Sequence, residues 1–175
     1  MNEIAVAELL PAGFDDRSRV WVYQSTRPFT DEQAREIDEQ IHQFAEQWQV
    51  HGKPVKGWGK LLFNRFVVMM ADETFEAISG CSTDSMVRVI KSIERQYDCN
   101  LFDRLSITFL VKDKAEVLPM GQVQYALDKG YINADTLLFN NLVATKKEME
   151  TQWLQPLSAS WMAEKLNFNT TNTTS

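Results

Sequence analysis

The run Phe66-Val67-Val68-Met69-Met70 limits the folds open to this chain more than any other stretch. A strand with one wet face alternates apolar and polar residues, whereas an unbroken apolar run belongs where both faces are covered. The pattern predicts a central strand over Arg65 to Ala71, and a central strand needs neighbours. Val20 to Ser25, rich in β-branched and aromatic residues, reads as a first strand. Val55 to Leu62 reads as a second, joined to the central one by a hairpin turning near Asn64. Leu105 to Val111 reads as a fourth.

Two amphipathic helices fall between these strands. Thr30-Asp31-Glu32-Gln33 has the form of a capping box, with Phe29 as the staple residue before it. Ala34, Ile37, Ile41, Phe44 and Trp48 then recur at helical spacing and predict a helix over 31–49, ended by His51-Gly52-Lys53-Pro54. Met86, Val89, Ile90, Ile93 and Tyr97 predict another over 83–97, with Ser82 or Thr83 as its N-cap. The order β-α-β-β-α-β points to an α+β protein with a ferredoxin-like split sheet and helices on one face.

The remainder reads as a small β-α-β-α extension. It has a strand at Glu116 to Leu118, a helix from Gly121 to Lys129 stopped by Gly130, a strand from Thr136 to Val143, and a helix from Lys146 interrupted at Pro156. The expected organisation is an N-terminal arm over 1–18, a core over 19–113, the extension over 114–166 and a frayed Asn/Thr-rich tail over 167–175.

The 175 residues suit one domain, or one with an appendage, burying roughly 70% of the unfolded surface. With 44% hydrophobic and 24% charged residues, the chain is ordinary for a globular protein. A net charge of −6 weighs against broad affinity for nucleic acid or anionic membrane. The opening residues carry acid where a signal peptide carries bases, Glu8 breaks their apolar run, and no apolar stretch approaches a membrane span, so the cytoplasm is expected. Cys81 and Cys99 bracket the second helix, which separates them by about 20 Å. That excludes an internal disulfide, whose Cα atoms lie within about 7 Å.

Cys81 stands just before the predicted first turn of that helix, where unpaired N–H groups and the helix dipole favour a thiolate. Asp84 opposes this, since a neighbouring carboxylate raises a thiol pKa. Of the two histidines, His51 is the plausible base. Helices running parallel would place its loop and the Cys81 turn at opposite ends of the sheet. A second group is Lys53, Lys56, Lys60 and Arg65 interleaved with Trp58, Phe63 and Phe66, which Trp21 and Tyr23 extend. Basic and aromatic residues on strands are how single-stranded nucleic acid platforms work. Gly57-Trp58-Gly59 points to a bulge or a close backbone approach. Asp15-Asp16 and Asp72-Glu73 read as solvated charge, and no phosphate-loop, zinc or hydrolase motif occurs.

Seven blocks in order carry a family resemblance: Val20-Trp21-Val22-Tyr23-Gln24, His51-Gly52-Lys53-Pro54, Asn64-Arg65-Phe66, Ser79 to Ser85, Phe102-Asp103-Arg104-Leu105, Phe139 to Val143 and Ser160-Trp161. Together they resemble a family of bacterial cytosolic proteins commonly labelled "ABC transporter ATPase". Without a phosphate loop, the resemblance implies a shared fold and site and not ATPase activity. The site it implies draws on Arg65, Cys81, Asp84, Ser85, Asp103, Arg104, Asn140 and Asn141. Asn140-Asn141, expected within a strand, needs partners for its buried amides, and a polar network from that strand to the Cys81 turn would supply them.

The leading expectation is a soluble cytosolic binding or regulatory protein without catalysis, with no cofactor and no metal. Its partner would be a small molecule or a protein and not a membrane, with the oligomeric state left open. The alternatives are an enzyme with a pocket centred on Cys81, and single-stranded nucleic acid binding through residues 53–66.

Overall fold

A computed structural model describes residues 5–73 and 80–168, leaving out the side chains of 80–82. In chain order the elements are α1 (Val6–Leu9), β1 (Arg19–Gln24), α2 (Asp31–Gln47), β2 (Gln49–Val50), β3 (Lys53–Pro54), β4 (Lys56–Leu62), β5 (Phe66–Asp72) and α3 (Gly80–Tyr97). They continue with β6 (Ser106–Val111), β7 (Lys114–Pro119), α4 (Val123–Asp128), β8 (Leu137–Phe139), α5 (Lys146–Gln152) and β9 (Leu154–Pro156). The architecture is α+β with small antiparallel sheets. It divides into two compact units. One runs to Asp103 and takes in Asn141–Gln152; the other is Arg104–Asn140 with the chain from Trp153.

In the first unit β5 is the middle strand of the sheet β1-β5-β4, antiparallel to both neighbours, and all seven of its residues are buried. α2 begins at the capping box: the Thr30 hydroxyl accepts the Gln33 N–H at 3.1 Å, and Gln33 Oε1 accepts the Thr30 N–H at 3.2 Å. Ile37 and Ile41 of α2 and Met86, Ile90 and Ile93 of α3 pack in one core with Val67 and Met69 of β5. Gly59 makes this packing possible. A Cβ there would stand 2.3 Å from Ile41 Cγ2 and 2.9 Å from Met69 Sδ, and one at Gly57 would stand 2.8 Å from the Trp48 ring. The Gly-Trp-Gly triplet is therefore a close approach of α2 to β4.

Several element ends differ from expectation. α2 stops at Gln47 because Trp48 turns extended, and the Trp48 carbonyl accepts the Val55 N–H at 2.9 Å. His51 and Gly52, at φ 48° and 79°, then form the tight turn between β2 and β3. The hairpin of β4 and β5 turns through Phe63 and Asn64, both at positive φ. α3 starts at Gly80, so Cys81, Ser82 and Thr83 lie inside its first turn, and the last two are not caps before it. The expected arm holds α1, and Val6 and Leu10 are buried.

The fourth strand, β6, does not join β1. It pairs with β7 and β8 in a second antiparallel sheet, β7-β6-β8-β9. Beside β1, Thr145 bridges Arg19 antiparallel at one end and Phe102 bridges Gln24 parallel at the other.

In the second unit β6 and β7 are joined by Lys112 and Asp113, both at positive φ, and Val111 pairs with Lys114. A division at 113/114 would therefore cut a hairpin. The strand expected over Thr136 to Val143 shortens to Leu137–Phe139, and α5 is followed by the short strand β9. Ile107, Phe109, Val123, Leu138 and Leu157 centre this unit's own core. Of the expected tail, Asn167 exchanges hydrogen bonds with Gln124, Phe168 packs on the second core, and 169–175 lie outside the described residues.

Candidate functional site

A buried polar knot forms where β1 ends. The Ser25 N–H donates to the Arg65 carbonyl at 2.9 Å, and Arg65 Nη1 donates back to the Ser25 carbonyl at 3.1 Å. The Ser25 hydroxyl donates to the Arg27 carbonyl at 2.7 Å, turning the chain locally as serine does after a strand. Asn141 Nδ2 donates to Gln24 Oε1 at 3.0 Å, joining α5's lead-in to the strand end. Gln24, Ser25 and Arg65 are all buried, with Arg65 only 6% exposed. Such groups must be hydrogen-bonded where they lie, because water cannot satisfy them. Asp103, half-buried, follows Phe102 at the same strand end.

Cys99 also sits beside this knot. Burial pushes its thiol pKa up, with Glu94 and Asp98 acting in the same sense, against Arg27 and the hydrogen bond with Ser25. It is the less reactive kind of thiol. Tyr97, at the end of α3, donates its hydroxyl to Glu36 of α2 at 2.7 Å. Burial, and then that carboxylate, raise its pKa to about 12.

The start of α3 lies elsewhere. The Tyr97 carbonyl accepts a hydrogen bond from Arg27, and the Asn100 carbonyl accepts the Thr26 N–H, so the far end of α3 meets the knot. Asp84 stands more than three turns earlier, roughly 20 Å along the axis. Asp84 is exposed, and Ser85 Oγ is 3.3 Å from its donor, Arg88 Nη2. Cys81 lies in α3, but its side chain is outside the described residues. Asn141 thus joins Gln24 at the opposite end of the sheet from the helix start. Arg104, exposed, and Asn140, whose N–H donates to the Trp153 carbonyl at 2.6 Å, belong to the second unit.

His51 corrects an expectation. α2 and α3 run antiparallel, since early α2 meets late α3 through Glu36–Tyr97 and Gln40–Gln96. The end of α2 and the start of α3 therefore share one end of the sheet, the end where Lys56 pairs with Asp72. His51 is exposed there.

That end also carries charge the sequence placed in solvent. Asp72 is buried, with Lys56 Nζ 3.7 Å from its Oδ2, and Arg19 Nη1 meets Glu73 Oε1 at 3.4 Å. Lys56 also donates to the Gly13 carbonyl and covers the Phe14 ring at 4.8 Å. Lys146, buried at the start of α5, donates to the Phe14 carbonyl at 2.9 Å and faces Glu150 at 3.7 Å. Nothing local in the sequence marks Lys146, because its acceptor is a carbonyl far back in the chain.

The basic and aromatic residues of 53–66 do not share one surface. Lys53, Lys56 and Lys60 are exposed, whereas Arg65 and Phe66 are buried. Trp21 and Tyr23 pack against the helix-side core, with Trp21 against Trp48 at 5.8 Å between ring centroids. Among the described residues no group of three His, Cys, Asp or Glu side chains is placed to hold a metal ion. No helix among them is long and apolar enough to cross a membrane. The chain matches no protein-family model, no curated protein and no solved structure.

Proposed function

We propose that this chain acts by binding, as a cytoplasmic binding or regulatory protein that carries out no catalysis. The observation that supports this most is the separation of the polar candidates. Arg65 and Asn141 are engaged in interior hydrogen bonds at one end of the first sheet, and Asp84 and Ser85 stand at the other. Acid, base and nucleophile need to reach one substrate together. A set divided by roughly 20 Å suits structure better than turnover.

The second unit offers a surface for a partner. Tyr125 and Tyr131 are 58% and 72% exposed, their ring centroids are 6.5 Å apart, and Lys129 Nζ lies 5.7 Å from the Tyr125 ring. Paired exposed tyrosines beside a cation have the composition of contact surfaces, where rigid aromatic anchors carry much of the energy. The order β1-β5-β4 supports reading the first unit as a ferredoxin-like split without its last strand. The Gly80–Ser85 block and its companions support kinship with the bacterial family they resemble.

The second reading, an enzyme centred on Cys81, draws on His51 and the start of α3 sharing one end of the sheet. Alkylation by iodoacetamide across pH, in a Cys99→Ser background, separates the two. The binding reading expects Cys81 to react no faster than a free thiol of pKa about 8.5, with or without His51→Ala. Fast alkylation well below that pH, slowed by His51→Ala, would overturn it.

A further inference from the structure

The outward crests of α2 and α3 carry opposite charge. On α2 the exposed crest holds Glu32, Glu39 and Glu46, each seven residues from the next, with the exposed Arg35 beside it between the first two, nearer the helix start than the stretch facing α3. On α3 it holds Arg88, Lys91 and Arg95, also exposed. The buried stripe of each helix explains the arrangement: with Ile37 and Ile41 or Ile90 and Ile93 facing the sheet, these positions fall on the opposite side. Although the helices are neighbours, no ion pair links the two crests among the described residues. The groove between them is bridged instead by Gln40 Nε2 to Gln96 Oε1 at 3.0 Å and by Tyr97 to Glu36.

Those two bridges also fix the level of one helix against the other. Because the helices are antiparallel, Glu39 lies level with Arg95. Two turns further, about 10.5 Å along each axis, Glu46 lies level with Arg88. An acidic ridge beside a basic ridge in this register is self-complementary under one operation. A two-fold axis parallel to the helices, between them and in the plane of the face, sets α2 of one copy against α3 of the other. It leaves every level unchanged. An in-plane axis across the helices would instead oppose acid to acid.

We propose that this helix face is a docking surface for a second copy of this chain, with Glu39 and Glu46 of one copy meeting Arg95 and Arg88 of the other, twice over. The interface is isologous, as a two-fold contact must be. Each facing α2–α3 pair is antiparallel, which opposes the helix dipoles favourably. Asp84 and Glu32 lie beyond the overlap of the helices at its two ends, so neither meets a like charge across it. Exposed ion pairs are individually weak and are screened by salt. The dimer therefore belongs to the weak, salt-sensitive class.

Sedimentation velocity of the full chain over a concentration series, at low and at high salt, tests this. The expected result is a mass that rises toward two chains with concentration at low salt and returns to one chain at high salt. Arg88→Glu/Arg95→Glu and Glu39→Arg/Glu46→Arg should each remain single chains, and an equimolar mixture of the two should regain the dimer. All four positions are exposed, and circular dichroism checks that each variant is folded. A single chain at every concentration in low salt overturns the proposal. So does a dimer that persists in high salt, or one undiminished in a folded reversal variant.

Discussion

The two ends of the β1-β5-β4 sheet are built from different chemistry. At the end where β1 finishes, mostly neutral groups close on one another: Gln24 with Asn141, Ser25 with the Arg65 carbonyl, Tyr97 with Glu36. At the other end, ionic groups lie nearer solvent: Arg19 and Glu73 are both partly exposed, and the buried Asp72 is met by a Lys56 that is 43% exposed. A buried hydrogen-bond knot fixes geometry, because each group loses water and must keep its partner. A half-exposed ion pair keeps much of its hydration and adds little. The knot therefore holds α3 and the chain after it against β1, and the charged end tolerates change.

The largest effect tests what joins the two ends. Gly59→Ala forces a methyl to within 2.3 Å of Ile41 Cγ2 and should cost about 3 kcal/mol or more by urea denaturation. Gly121→Ala, with nothing within 4 Å of the new Cβ, should stay within about 0.5 kcal/mol of the parent. Equal losses would mean that α2 is not clamped to β4 by shape.

Removing one cation from each end sets the two chemistries directly against each other. Arg65→Met deletes a buried charged donor and should cost about 2–3 kcal/mol. Arg19→Met, whose side chain is 43% exposed and faces a Glu73 that is 30% exposed, should cost under about 1 kcal/mol. Denaturation midpoints that fall equally would erase the distinction between the ends.

The smallest effect is silent at neutral pH. Tyr97 has a folded pKa of about 12 against an ordinary 10.0. Its hydrogen bond to Glu36 thus contributes in full below pH about 10 and is lost as pH rises through about 12. Ultraviolet titration should show one tyrosine ionising near pH 12, absent in Tyr97→Phe. If no tyrosine titrates that high, the α2–α3 contact at the knot is looser than its 2.7 Å hydrogen bond implies.

Much of the candidate site could not be read from the chain. Arg65 was legible as a polar residue before an apolar run, yet its partner, the Ser25 carbonyl, lies forty residues away. Nothing in the sequence marks Gln24 and Ser25 as buried polar groups, because an amide and a hydroxyl at a strand end look like ordinary surface. Asp72 looked solvated for the same reason: whether a carboxylate ending a strand is covered depends on what crosses it. His51 and the start of α3 fall at opposite ends only if the two helices run parallel, and the relative direction of two helices is set by strand pairing and not by either helix.

What the sequence determined by itself was local. The capping box at Thr30, the stripes of α2 and α3 and the central place of Phe66–Met70 all follow from side chains within a few residues of one another. What only the tertiary structure decided was pairing across distance. β6 carries the pattern of a fourth strand and would suit an edge beside β1, but it pairs with β7 and β8 in the second unit. A strand's backbone donors and acceptors are alike from one strand to the next. The choice among open edges therefore falls to the packing of whole elements, which no short stretch of sequence encodes.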